Sequence, residues 1–367
     1  MSGERPYIHL SEEMTSPVET TGWDDLGLVE EGVTGYHAGL AWHVTALPIY
    51  DGLAMARGLR WEEWARQVLR DQMRFLAAWQ PELSSQGGFF NPTLRSLQLR
   101  FLGGREASRP GIWLLAKVFD PDPDRARLLA RALQEEVQAL FPPGYGLHPL
   151  TEAAGQAGCW PLATDEGEED GWWLAEIRRG LCRTVWRGAG STAPRRQPEV
   201  SLQLHPFVWS VGGLRRTLEV IQAAPGQAML CVTLCPTGLH EMEEERLSRA
   251  VFGRVPSRWQ HPYLLRVGLA GHGACPEPLV RALAADLTAP DGLPRPYAVV
   301  YPAGPEEREV ARRNLRWLEM ERWGMDDPLA PPDRRLRYLV DVGEAQAAFR
   351  IPMLDPDEAE GWGLRVE

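Results

Sequence analysis

The chain has 367 residues, 44% of them hydrophobic and 24% charged, an ordinary globular composition that supports a sizeable core in about one to three domains. Its formal net charge of -11 excludes a sequence-blind polyelectrolyte binder of DNA. No apolar run reaches the roughly 18–20 residues that a membrane-spanning helix needs. Residues 1–39 carry many acids and glycines without a clear period and read as an irregular N-terminal arm. Glu4, Glu12 and Glu13 do not fit the basic-then-apolar layout of a signal peptide, so a cytoplasmic location is expected.

Leu40 to Pro48 is a short apolar run that predicts a strand. From Leu59 to Trp79 the apolar positions 61, 64, 65, 68, 69, 73 and 76 follow helical spacing. Leu94, Leu97, Leu99 and Phe101 mark a second strand that Gly103 and Gly104 end, and Ile112 to Phe119 marks a third. Asp124 is placed to cap a helix running to about Leu140, which Pro142-Pro143-Gly144 stops. Tyr145 to Leu150 completes the order β-α-β-β-α-β over residues 40–150.

Residues 151–199 interrupt the pattern and read as a linker or insertion. They hold an acidic patch at Asp165 to Asp170, Trp172-Trp173, a short helix to Arg179 and a Gly/Ser/Pro/Arg stretch at 188–196. The earlier order then recurs over residues 200–301. Strands are expected at Val200–Val208, Ala228–Leu234, Tyr263–Leu269 and Tyr297–Tyr301, with helices at Gly213–Ala223 and Pro276–Leu287. An acidic helix is inserted within Pro236–Arg254. The fold class read from this order is α+β: two tandem ferredoxin-like β-α-β-β-α-β units followed by a C-terminal helical and extended extension over residues 302–367. A single mixed domain whose element order repeats by chance stays open at this point.

Lys117 is the single lysine, and it lies in Leu115-Ala116-Lys117-Val118 without glycines. A Walker A loop needs its lysine behind a glycine-rich turn, so the chain is not expected to be a P-loop ATPase. The cysteines at 159, 182, 231, 235 and 275 lack zinc-ligand spacing and read as buried structural thiols. The histidines form neither H-x-H nor H-E-x-x-H, and Asp120, Asp122 and Asp124 alternate with prolines in a way that helix capping explains. No G-x-S-x-G elbow occurs. Gly271-His-Gly273 is a strand-to-helix turn of a common kind that also suits an anion. Neither a cofactor nor a metal is expected, and no catalytic residue is assigned.

Eight arginines fall at 308, 312, 313, 316, 322, 334, 335 and 337. Interspersed glutamates make a solvated, ion-paired helix face one explanation, and a contact surface the other. The 15 tryptophans, about three times the usual share, point separately to a protein partner or self-association, because Trp and Arg concentrate at binding hot spots. The residues expected to bind a partner are Arg312, Arg313, Arg316, Trp317, Trp323, Arg334, Arg335 and Arg337.

Leu339-Val-Asp-Val-Gly-Glu-Ala-Gln-Ala-Ala-Phe-Arg-Ile-Pro352, followed by Gly361-Trp-Gly-Leu-Arg365, resembles the segment before the motor domain in HerA/FtsK-like and conjugative, type IV secretion-like ATP-binding proteins. Met229 to Glu241 and Tyr263 to Leu269 are similar to two further elements of those proteins, so the resemblance covers about residues 200–365. The chain departs from them in having no Walker lysine and no motor. The resemblance implies the accessory part alone: a non-catalytic assembly or adaptor protein that docks on a separate oligomeric ATPase in DNA translocation, secretion or phage defence. A separate P-loop ATPase or other protein subunit is the expected partner, together with self-association. Two alternatives are an enzyme whose site is assembled from scattered residues, and a nucleic-acid-binding module using the arginines. The acidity of the chain and the aliphatic strand Leu230, Val232, Leu234 count against direct nucleic-acid binding.

Overall fold

A computed structural model describes residues 6–15, 33–48, 50, 58, 60–79, 95–105, 111–153, 171–186, 199–207, 213–239, 243, 245, 247, 262–288, 297–324 and 335–353. The architecture is mixed α/β, of the general α+β kind, with helices packed on a large antiparallel sheet. The first half contains β1 (His9–Thr15), β2 (Val33–Ala46), α1 (Trp61–Trp79), β3 (Ser96–Gly103), β4 (Gly111–Asp120), α2 (Pro123–Leu140) and β5 (Gly146–Pro149). The second half contains β6 (Trp172–Arg179), β7 (Leu181–Trp186), β8 (Glu199–Leu204), α3 (Gly213–Gln222), β9 (Ala228–Pro236), β10 (Tyr263–His272), α4 (Glu277–Thr288) and β11 (Tyr297–Val300). After these come α5 (Pro305–Trp317), β12 (Leu339–Val340) and α6 (Val342–Ala348).

The sheet runs β1-β2-β4-β3-β9-β10-β6-β11, with β5 added on β2 and β12 on β10. Within the first half the order is β5-β2-β4-β3, and within the second it is β11-β6-β10-β9. The halves join through one antiparallel ladder between β3 and β9, from Leu97↔Leu234 to Gly103↔Ala228. Period-2 alternation in these strands sends one row to each face. Leu97, Leu99 and Phe101 of β3 and Leu230, Val232 and Leu234 of β9 enter a core shared with α1, α2, α3 and α4. That core crosses the junction, with Trp79 of α1 stacked 6.2 Å from Tyr263 of β10.

Several local expectations need correction. Trp172–Arg179 is a strand and not a short helix, and it pairs between β10 and β11. Its alternation explains this: Trp173, Ala175 and Ile177 join the helix-side core, while Glu176 and Arg178 turn to the other face. The strand expected at Val200–Val208 forms as β8, but it pairs with β7 in a separate two-stranded sheet and not in the large one. The strand expected from Leu40 begins at Val33, because β1, inside the supposed arm, forms a hairpin ladder with Val33 to Gly39. Asp122, not Asp124, caps α2, accepting 2.9 Å hydrogen bonds from the amides of Asp124 and Arg125 with Pro123 in the first turn. The acidic helix expected within 236–254 lies largely outside the described residues.

Candidate functional site

The second row of the central strands should face water, yet it is buried and carries charged and polar groups among its apolar ones. Gln98, Arg100, Lys117, Glu176, Arg178, Thr233 and Arg266 are all under a tenth exposed. What buries them is the C-terminal region. Residues 305–324 lie across this face as a strap: Ala311, Leu315 and Trp323 pack on Leu102, Leu174, Met229, Cys231 and Ala270. Gly268 of β10 makes the close approach possible, because a Cβ there would collide with the Leu315 side chain. The turn after α5 is unusual, since Leu318 takes the left-handed conformation (φ 54°) that glycine usually fills. Its side chain compensates by packing on Ala41 and Leu115.

Guanidinium groups of the sheet hold the strap by its backbone carbonyls. Arg100 Nη2 donates to the Leu315 carbonyl at 2.6 Å, and its Nε donates to Gln98, whose amide reaches Thr233 Oγ1 at 2.9 Å. Cations at this helix C-terminus also meet the negative end of the α5 dipole. Arg178 donates to the carbonyls of Trp323 (2.5 Å) and Gly324 (2.9 Å) and to Glu176 Oε1 (2.6 Å). Arg266 bridges Glu176 Oε2 and the Glu321 carbonyl. Asn314 closes the loop in both directions with the Glu321 backbone, at 2.8 and 3.0 Å.

The segment after it is held in the same way. Arg179, fully buried, donates to the carbonyls of Leu336 and Leu339 and pairs with Glu344 at 3.1 Å. Asp341 caps α6 by accepting from the Glu344 amide at 2.7 Å. On the helix-side face Gln72 of α1 donates to the Ile351 carbonyl at 2.8 Å, and Ala345, Phe349 and Ile351 enter the main core. Burial pushes the Arg350 pKa down to about 10.

A second polar group joins the strap to β2 and β4. His37 Nε2 lies 3.2 Å from Glu319 Oε1, and Arg313 Nε lies 3.2 Å from Glu319 Oε2. Trp317 stacks between His37 and His9, each 5.4 Å away. Burial, reinforced by the Lys117 charge and only partly opposed by Glu319, drives the His37 pKa down to about 4. Glu319 is lowered despite its burial, by the hydrogen bond from His37 and the charges of Lys117 and Arg313. His37 is therefore neutral at neutral pH and Glu319 is ionised.

The residues expected to dock a partner are placed as follows. Trp317 and Trp323, expected as exposed anchors, are interior at 2% and 5% exposure. Arg316 lies over the Trp317 ring at 5.1 Å, Arg312 pairs with Glu309, and Arg313 pairs with Glu319 and Glu321. Arg335 is buried against Thr237 and Glu243, Arg337 is half-buried, and Arg334 lies outside the described residues. The tryptophans thus bind the chain's own sheet. Sequence reasoning missed the opposite half of the contact, Arg100, Glu176, Arg178, Arg179 and Arg266. A lone charge inside a strongly apolar strand, as Arg266 is in β10 and Arg100 in β3, is the available signal.

Among the described residues, no group of three or more His, Cys, Asp and Glu side chains converges as metal ligands. Among the same residues, no helix is long and apolar enough to cross a membrane. No protein-family model matches the chain, and no curated protein matches it.

Proposed function

We propose that the chain is a non-catalytic assembly or adaptor module for a separate oligomeric P-loop ATPase, of the kind used in DNA translocation, secretion or phage defence. In this reading it is built from two tandem ferredoxin-like units joined edge to edge, with the C-terminal region as their common clasp. The strand orders β5-β2-β4-β3 and β11-β6-β10-β9 support the duplication.

One observation carries the functional reading. Leu339–Pro352 resembles the stretch that leads into the motor of HerA/FtsK-like and conjugative ATP-binding proteins, and here it is anchored by wholly buried groups of β6 and α1. Arg179 and Glu344 fix one part of it, and Gln72 fixes the other. A segment anchored this way transmits the position of the sheet to whatever it adjoins. The strap fills the polar sheet face over the central strands, and strand edges and outer helix surfaces are the surfaces proposed for contact with the motor.

The test is to purify HerA/FtsK-like ATPases of the same host, mix each with this chain, and follow mass by light scattering and ATP turnover by phosphate release. The expected result is a complex of fixed stoichiometry with one such ATPase, with all turnover belonging to that partner. Absence of a complex with any of them would remove the adaptor role. ATP turnover by the chain alone, abolished by Lys117→Ala, would replace it with an enzyme.

A further inference from the structure

We propose that His43 and His148 form a two-imidazole site for a borderline divalent cation of the Zn²⁺, Ni²⁺ or Cu²⁺ class, on the part of the sheet face that the strap leaves accessible. The site follows from one register row across the large sheet. His148 of β5 stands opposite His43 of β2, which stands opposite Trp113 of β4, then Arg100 of β3, Cys231 of β9 and Gly268 of β10. The strap crosses this row at Gly268 and Arg100. At the other end of the row His148 is exposed, and His43 and Trp113 are half-buried.

Alternation puts both imidazoles on that face. Trp42 and Val44 flank His43 and belong to the helix-side core, so His43 turns the other way. Leu147, beside His148, packs against the same core, so His148 also turns away from it. Directly opposed residues on one face of an antiparallel pair have Cβ atoms about 4.5–5.5 Å apart, within the span over which two imidazoles share one cation at about 2.0–2.1 Å from each nitrogen. The Trp113 ring lies 5.6 Å from the His43 ring and holds it on the sheet side. Gly111 gives Trp113 room to lie down, since a Cβ at 111 would meet that ring.

Two protein nitrogens leave the remaining coordination positions to water or to a ligand brought by a partner. Such a site prefers imidazole-seeking metals over Mg²⁺ or Ca²⁺, and Cu²⁺ binds most tightly in the usual order. This inference does not depend on the adaptor role, because it concerns side chains outside the strap contact.

The experiment is a Cu²⁺ titration of the full chain, followed by calorimetry and by electron paramagnetic resonance of the bound ion, on the unsubstituted protein, His148→Ala and His43→Gln. The expected result is one saturable equivalent whose spectrum shows two coupled nitrogens. His148→Ala should weaken that equivalent at least tenfold and remove one nitrogen coupling while leaving the melting temperature unchanged. His148 is exposed, so this variant decides the matter even if His43→Gln folds poorly. A bound equivalent of the same affinity and spectrum in His148→Ala, or no saturable binding to the unsubstituted chain, would overturn the proposal.

Discussion

Arg179 of β6 and Glu344 of α6 meet at 3.1 Å with both side chains wholly out of solvent. The same guanidinium donates to the carbonyls of Leu336 and Leu339, so one side chain fixes the end of β6, the lead-in to β12 and the first turns of α6. A buried pair of this kind holds geometry more than it adds stability, because desolvation offsets most of the attraction. Removing one partner leaves a buried charge without its counterpart. Glu344→Ala should therefore cost about 3–5 kcal/mol in urea unfolding. Replacing both, as Arg179→Met with Glu344→Leu, should recover a large part of that loss. A single substitution that costs less than about 1 kcal/mol would show that the pair is hydrated.

Gly268 sets how closely α5 approaches the sheet. Gly268→Ala places a methyl against Leu315, and overpacking of this sort costs about 1–3 kcal/mol. Combining it with Leu315→Ala should make the two effects clearly non-additive in a double-mutant cycle. Additive losses would mean that the strap sits further from β10.

His37 makes the fold sensitive to acid. Its folded pKa of about 4 lies below the ordinary 6.5, so the native state binds fewer protons than the unfolded state between those values. Stability should fall as pH drops from about 6.5 towards 4, by as much as ~3 kcal/mol from this residue. Glu319, also lowered, adds a loss of the same sign at still lower pH, when its carboxylate protonates. His9 and His205 are lowered as well and contribute in the same direction as His37. Chemical denaturation of His37→Gln at several pH values should show a shallower slope between pH 6.5 and 4 than the unsubstituted chain. An unchanged slope would place the titration elsewhere.

Trp317 separates a structural from a docking role. Stacked between His9 and His37, it should behave as a core residue, with Trp317→Ala costing roughly 3–5 kcal/mol. A melting temperature close to that of the unsubstituted chain would return it to the list of partner contacts.

How much of this was legible beforehand differs from element to element. The helix at 61–79, the strand at 111–120 and the helix at 123–140 carry strong periodicities, and they form close to where those predict. β6 was hidden because an acidic stretch precedes Trp172 and two arginines end it, so its charged row looked like the polar side of a short helix. The buried ion network was hidden for a related reason. A charged row on an antiparallel strand normally faces water, and only a segment arriving from beyond residue 304 covers it. Trp317 and Trp323 read as surface anchors because their partners, His37 and Arg178, lie far away in sequence. His43 and His148 escape any spacing rule, since only the β2–β5 register brings them together.

A locked C-terminal region underlies both the fold and the proposed role, and native-state hydrogen exchange measures it directly. If the arginine contacts hold as described, amides of 305–324 and 339–351 exchange only through the same global unfolding that exposes the central strands β3 and β9. They would then share one opening free energy and one dependence on urea. Exchange of the strap at a lower free energy, with β3 and β9 still protected, would show an independent extension and contradict the clasp.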